Sequence, residues 1–288
     1  MPECTNQAAL WVTPISRVFL MSNCRPFDNK MTVVQHSVSL ITGAARGIGR
    51  GLSEMLLQRD ALGVSIIDID KEAGLETTAE LKKLYGDDRV LFVECDVRDE
   101  NNLRAAYEQT KKKFGRLDIV CNNAAIFDDF KLVETIDVNL TSLIRSTYMA
   151  VEYMGIQHGG HGGVIINVSS ILGLIPNKYV PIYTATKHGV VGFSRSAAEE
   201  QLMKDNGISI ASYCVGKVNT DMILAAKQSS RYGQEFEDRL ANMGHISVQE
   251  SCEGILQMIE DKSVNGKANI HTLEIPMMNI QPPDFMKI

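Results

Sequence analysis

The sequence predicts an α/β fold: a single domain built on a doubly wound parallel sheet, with a short lid before its last helix and strand. Three observations carry that expectation. From residue 37 of the 288-residue chain onward, short apolar runs alternate with stretches of helical apolar spacing. A glycine-rich turn, TGAARGIG, separates the first run from the first helix. The second run ends on an acid, Asp68.

Residues 37–42 (SVSLIT) suit the first buried strand. In the turn that follows, Gly43, Gly47 and Gly49 let the backbone fold tightly and approach a pyrophosphate. The N-terminus of a helix over 48–59, which buries Ile48, Leu52, Met55 and Leu56, would hold that pyrophosphate. The second strand, 64–67, delivers Asp68, whose carboxylate suits both hydroxyls of an adenosine ribose and repels a 2′-phosphate. Asp70 adds to that negative field. Arg46 argues the other way, since a guanidinium in the turn suits the phosphate. The balance predicts NAD rather than NADP.

The third strand, 90–94, places Asp96 to hydrogen-bond an adenine, and Leu103, Ala106, Tyr107, Thr110 and Phe114 keep helical spacing behind it. Residues 117–121 form the fourth strand. The amides of Asn122 and Asn123, followed by Ala124 and Ala125, are expected to tie adjacent loops beneath the cofactor. A long helix over about 130–153 carries Asn139 among Val138, Leu140 and Leu143. A buried amide needs partners, and one facing Lys187 through water would complete a proton path.

The next stretch carries the chemistry. After a strand over 164–168 comes Ser170, and a helix beginning near Tyr183 puts Tyr183 and Lys187 on one face, four residues apart. The ammonium favours the phenolate, which makes Tyr183 a general base, and the Ser170 hydroxyl is placed to hold a substrate oxygen. Residues 220–245 read as a lid, polar but carrying Met222, Ile223, Leu224 and Met243 for an apolar ligand. A capping box at Ser247 and Glu250 opens the last helix, and 268–272 form the last strand.

TGAARGIG, Asp68, Cys95-Asp96-Val97, NNAA at Asn122, VNL at Val138, VSS ending at Ser170 and YTATK at Tyr183 together resemble the short-chain dehydrogenase/reductase family, over about 38–272. That resemblance implies a Rossmann fold and a catalytic tetrad of Asn139, Ser170, Tyr183 and Lys187. It implies cofactor contacts at Gly43, Gly47, Ile48, Gly49, Asp68, Asp96, Val97, Asn123, Lys187, Val218 and Thr220, with Arg46 and Tyr183 bordering the same site. It also implies a homodimer or homotetramer built on the two long helices. GGHGGVIINVSS and KHGVVGFSRSAA are most similar to the branch of prostaglandin dehydrogenases, while the AIFDD pattern is shared with insect-type alcohol dehydrogenases. The chain departs from the family at Ala125 and Val215, where Gly and Pro are usual, and at Val180, where prostaglandin enzymes carry Gln.

The resulting expectation is NAD-dependent oxidation of a secondary alcohol to a ketone. The substrate is an apolar, hydroxylated small molecule of the prostaglandin or hydroxy fatty acid type, met by Ser170, Tyr183, Val180 and Met222. The alternatives are short secondary alcohols, or a redox-sensing protein that binds NAD without turnover. A net charge of −6 offers no field for nucleic acid or an anionic membrane surface.

The six cysteines contain no CxxC and read as reduced core residues of a cytoplasmic chain. His158 and His161, in a glycine-rich loop without a nearby acid, make a poor metal cage, so no metal is expected. Residues 1–36 read as a disordered extension, with a transit peptide as the alternative. The apolar stretch 8–21 is broken by Pro14 and Arg17 and is too short to span a bilayer. Residues 37–274 form the catalytic domain, and 275–288 an irregular tail.

Overall fold

A computed structural model describes residues 33–226 and 229–281, for 224–226 the backbone alone. Expectations for residues 1–32, for Cys4 and Cys24, for the Leu224 side chain and for the chain beyond 281 lie outside the described residues.

Among the described residues, eight strands form one sheet in the order β3-β2-β1-β4-β5-β6-β7-β8. Its first half runs β1 (Val38–Thr42), α1 (Gly47–Gln58), β2 (Gly63–Asp68), α2 (Lys71–Tyr85), β3 (Val90–Glu94), α3 (Glu100–Phe114) and β4 (Ile119–Asn122). Next come α4 (Leu132–Ile136), α5 (Ser142–Met154), β5 (Gly163–Ser170), α6 (Pro181–Glu199), α7 (Gln201–Asp205) and β6 (Ile208–Val215). The stretch expected to be a lid holds α8 (Asp221–Ala226) and α9 (Gln234–Ala241), and α10 (Val248–Glu260), β7 (Ala268–His271) and β8 (Met278–Asn279) follow. Strands β1 to β7 pair in parallel, and β8 adds one antiparallel edge.

Alternation along each strand builds two cores. Ile41, Ile119 and Ile166 pack with Leu52, Leu56 and Ile255 of α1 and α10. Their neighbours Leu40, Val120 and Ile165 pack with Leu103, Tyr107 and Met149 of α3 and α5. The helices therefore cover both faces. The strand order reverses between β1 and β4, and that switch point opens a crevice beyond the strands' C-terminal ends.

Four local differences from the sequence reading have physical causes. The expected helix over 130–153 is split, because Asp137–Thr141 forms one π-helical turn in which Ser142 N–H reaches back to the Asp137 carbonyl. That wider turn carries Asn139, as π turns at functional positions often do. Strand β6, which the reading passed over, is almost wholly buried between β5 and β7. The 268–272 run is not the last strand, since β8 follows it inside the expected tail. Val34, assigned to the extension, is fully buried in the first core.

A polar network crosses the apolar interior and fixes the helices that carry the site. Asn122 donates to the Asn167 side-chain oxygen at 2.9 Å, and Asn167 donates to the Ser194 hydroxyl on α6 at 2.9 Å. Ser146 on α5 donates to the Asn122 side chain at 2.6 Å and lies 2.8 Å from the Tyr107 hydroxyl. Asn139 and Asn167, both heads of formal glycosylation sequons, are completely buried and bonded within the fold. Asn167→Ala should lower stability by about 2–3 kcal/mol, because it strips partners from Asn122 and Ser194 inside the core. Urea denaturation of the purified variant measures it, and an unchanged midpoint would contradict the role given to this network.

Candidate active site

The glycine turn is held from β4. The Thr42 hydroxyl accepts the backbone N–H groups of Asn123 and Ala124, each at 3.0 Å. The Asn123 side chain donates to the carbonyls of Thr42 and Gly43, each at 2.9 Å, as the sequence reading of a loop tie expected. Gly43 has a φ of +64°, and a Cβ there would meet the Ala124 Cα at 2.8 Å. At Gly49 a Cβ would lie 2.4 Å from the Gly43 carbonyl. Only glycine lets α1 start this close to the turn. No side chain caps α1, and its first turn holds no acid. Its leading N–H groups are thus available to an anion.

The carboxylate of Asp68 ends β2 and accepts Ala45 N–H at 2.9 Å and Asp70 N–H at 3.0 Å. Both oxygens keep lone pairs for a further donor. Arg46 pairs with Asp70 at 2.6 Å. Asp70 also caps α2 through Ala73 N–H, and these two bonds hold its carboxyl below the usual range. Arg98 grips Asp96 through a fork of 2.6 to 3.0 Å, which lowers the Asp96 carboxyl likewise.

A cleft of about 390 Å³ runs from this turn to α6. Gly43, Arg46, Gly47, Ile48, Asp68 and Asp96 line one end. Val97, Asn123, Val218, Thr220 and Met222 line its length, and Ser170 and Tyr183 face it from β5 and α6. Four expected site residues are absent from that lining. Gly49 packs beneath the turn, and Asn139, Lys187 and Val180 are buried behind the wall.

Lys187 is 2 % exposed and donates to the Val168 carbonyl at 2.9 Å, with its nitrogen 5.5 Å from the Tyr183 ring centre. Burial pushes its amine down to about 8. Burial also pushes the Tyr183 hydroxyl well above its ordinary value, and the neighbouring Ser170 hydroxyl draws it partly back. The sequence reading expected the Lys187 ammonium to lower the phenol, whereas in the protein as folded desolvation is the dominant influence.

The Asn139 side chain is bonded to backbone and hydroxyl groups. Its side-chain oxygen accepts Ile126 N–H at 2.8 Å, and its nitrogen donates to the Ile126 carbonyl at 2.8 Å and to the Thr186 hydroxyl at 3.3 Å. The amide therefore clamps the loop after β4 onto α6. Val180 packs with Tyr183, Phe236 and Leu240 rather than touching the cleft, because the chain turns into α6 at that residue. It is a supporting residue, not a lining one.

Several lining residues went unforeseen. Phe127 lies over Tyr183 with ring centres 4.3 Å apart and stacks with Phe236 of the lid at 6.0 Å. Leu172 and Leu240 join them, as does Met243, which the sequence had placed in the lid. Lys217 anchors the far end of α9 by donating to the carbonyls of Leu240 at 2.6 Å and Met243 at 3.0 Å. The adjacent pair Asp128-Asp129 was the only local signal that this loop is special. Among the described residues no three His, Cys, Asp or Glu side chains gather as a metal cage, and no helix is long and apolar enough to cross a membrane.

A family model described as short chain dehydrogenase matches residues 37–230. The chain belongs to the short-chain dehydrogenase family, an oxidoreductase family. It is 38 % identical to the 15-hydroxyprostaglandin dehydrogenase [NAD(+)] of Homo sapiens over 81 % of this chain and 90 % of that one. It is 29 % identical to alcohol dehydrogenase 1 of Ceratitis cosyra over 82 % of this chain and 91 % of the other. Among solved structures, levodione reductase superposes with a TM-score of 0.72 at 24 % identity, covering 83 % of this chain and 96 % of its own. A short-chain dehydrogenase from Burkholderia phymatum in complex with NAD gives 0.70 at 20 % identity, covering 80 % and 87 %. These two likenesses speak to the fold.

Burying Lys187 carries a stability cost. The fall of the Lys187 amine from 10.5 to about 8 corresponds to about 3 kcal/mol against its charged form. Lys187→Met removes that charge but leaves the Val168 carbonyl unpaired, at about 1–3 kcal/mol. The variant should therefore be as stable as the wild type, or more so, at pH 7. Between about pH 8 and 10.5 the unfolded chain holds the lysine proton that the folded chain has lost, so wild-type stability gains with pH and the variant's advantage shrinks. Thermal melts at pH 7 and pH 10 check both signs, and a variant strongly destabilised at pH 7 would contradict them.

Proposed function

We propose that this protein is an NAD-dependent dehydrogenase that oxidises a secondary alcohol on an elongated apolar molecule, of the hydroxy fatty acid or prostaglandin type. The observation that carries the reading is the convergence of the Ser170 and Tyr183 hydroxyls on one cleft, with a dinucleotide cradle at one end and an apolar chamber at the other. The cradle fits the cofactor through its uncapped helix start, its glycine turn and the spare lone pairs of Asp68. NAD held there supplies the hydride acceptor for the carbinol carbon.

The chain's own residues do the rest. Ser170 holds the substrate hydroxyl, and Tyr183 takes its proton as the ketone forms. The Lys187 ammonium, fixed on Val168, steadies the phenolate form of Tyr183, which becomes the neutral phenol when it accepts that proton. Asn139 acts at a distance by clamping Ile126, which sets the wall beside Tyr183. Phe127, Phe236, Leu240 and Met243 exclude water from the chamber.

Aromatic and aliphatic walls favour a bulky apolar substrate over a short alcohol, and the higher identity to the prostaglandin enzyme supports the same choice. One charge stands out. Arg46 and Arg98 on the cleft are paired with acids and Lys217 is bonded to the carbonyls of Leu240 and Met243, but among the described residues Arg239 of α9 lines it without a carboxylate partner. Its helix neighbours Phe236 and Leu240 belong to the apolar chamber, so Arg239 suits the carboxylate of a fatty acid. The reading includes a cytoplasmic dimer or tetramer, consistent with four buried free thiols and with exposed Phe130, Leu132 and Val133.

The decisive test is NADH formation over a panel of hydroxylated lipids and shorter alcohols. kcat/KM should rise by up to about threefold to fourfold per added methylene, from about 0.8 kcal/mol each, until the chamber is filled. A flat series would favour a short-chain alcohol dehydrogenase. Tyr183→Phe should lose nearly all turnover while still binding NAD by fluorescence titration, and near wild-type rates would end the proton-transfer reading. Arg239→Ala should raise KM for a hydroxy fatty acid by about tenfold while leaving its methyl ester within about twofold. Equal effects on acid and ester would remove Arg239 from recognition.

A further inference from the structure

The helix that presents Tyr183 begins without a cap of its own. Its N-cap residue, Val180, offers no side-chain acceptor, and Pro181 has no N–H. The first two donors of α6 are therefore the amides of Ile182 and Tyr183, and both go to one carboxylate far away in sequence. Asp129 accepts Tyr183 N–H on one oxygen at 2.9 Å and Ile182 N–H on the other at 3.1 Å. It is 3 % exposed, and among the described residues no lysine or arginine pairs with it, although its neighbour Asp128 lies 3.9 Å from Lys131. A buried acid without a counter-ion is costly, and here the helix N-terminus is what balances it.

The same residue faces the lid. Asp129 N–H donates to the Ser229 carbonyl at 3.0 Å, and Ser230 donates to the Tyr179 carbonyl at 2.7 Å just before α6. Two residues earlier, Phe127 packs on the Tyr183 ring and on Phe236 of the lid. One short segment thus touches the Tyr183 ring, the Tyr183 amide and the lid.

We propose that Asp129 is a positioning residue for the reaction: its carboxylate fixes where α6 starts and thereby where the Tyr183 hydroxyl meets the substrate oxygen, and its N–H ties that start to the lid. This role rests on the reading of Tyr183 as the proton acceptor. It does not touch the cradle, so cofactor binding is independent of it.

The test uses the full chain with Asp129→Ala, Asp129→Asn and, as a separate control, Tyr183→Phe. Asparagine keeps one acceptor, so it should recover part of what alanine loses. For Asp129→Ala kcat should fall by about 100-fold, the scale of a misplaced catalytic group, and for Asp129→Asn by about tenfold. In both variants the Kd for NAD should stay within about twofold of wild type, measured well below the melting temperature. A kcat within about threefold of wild type in both variants overturns the proposal. So does a parallel loss of kcat and NAD affinity with a lowered Tm, which marks a purely structural cap. Wild-type turnover in Tyr183→Phe would instead remove the proton-transfer reading itself, whatever the Asp129 variants do.

Discussion

An ammonium buried on a single carbonyl is the constraint around which this half of the molecule is arranged. Among the described residues no acid pairs with Lys187, whose amine donates to the Val168 carbonyl of β5. Holding a charge there requires α6 to lie tightly on β5, and several details follow from that closeness. The Ser169 hydroxyl donates to the Lys187 carbonyl at 2.9 Å, and Gly173 must lack a side chain because a Cβ would come within 2.6 Å of that carbonyl. Asn167 pins the middle of the same helix through Ser194. The helix is thus fixed along its length by polar contacts, each of which needs an exact partner, rather than by apolar packing alone, which tolerates sliding.

The loop from Asn123 to Asp129 joins the two ends of the cleft. Asn123 closes the glycine turn, Ile126 is clamped by Asn139, Phe127 roofs Tyr183, and Asp129 sets the start of α6. Cradle and chamber therefore share one piece of backbone. The Asn123 end serves the cradle, and the Asp129 end serves the chamber. The π turn over Asp137–Thr141 belongs to the same arrangement, since it presents Asn139 to Ile126 and Thr186 together.

What was legible in the sequence was what is local. The strand, glycine turn and helix at 38–58, the acid at Asp68 and the Tyr183-Lys187 pair each lie within a few residues and obey fixed spacings. The capping box at Ser247 and Glu250 forms as its residues imply. Residues whose meaning comes from distant partners were not legible. Asp129 meets α6 across 54 positions, and nothing in its neighbourhood says which amides it will accept. Phe127 and Phe236 look like ordinary core aromatics until the lid folds over Tyr183. Strand β6 was missed because Ser209 and Ser212 interrupt its apolar run, and their burial is decided by the strands on either side. The π turn is invisible because one extra residue in a helix barely disturbs its apolar period.

Charge at the cradle argues for a cofactor without a third phosphate. Arg46 looks like a phosphate ligand in the sequence, yet it is already matched by Asp70, as Arg98 on the same cleft is by Asp96, each at 2.6 Å. Both pairs are partly exposed, so each is worth little to stability and is readily screened. Their effect on recognition is larger, because a guanidinium held by Asp70 or Asp96 presents little net positive potential to an incoming anion. Asp68 is left as the uncompensated charge at the end of β2, its oxygens anchored by Ala45 and Asp70 amides that fix the carboxylate in place. A ribose diol can donate to such a group, whereas a 2′-phosphate would meet it as a like charge at short range. For the phosphate to win, Arg46 would have to leave Asp70, and Asp70 would then lose one of the two bonds that hold its carboxylate at the start of α2.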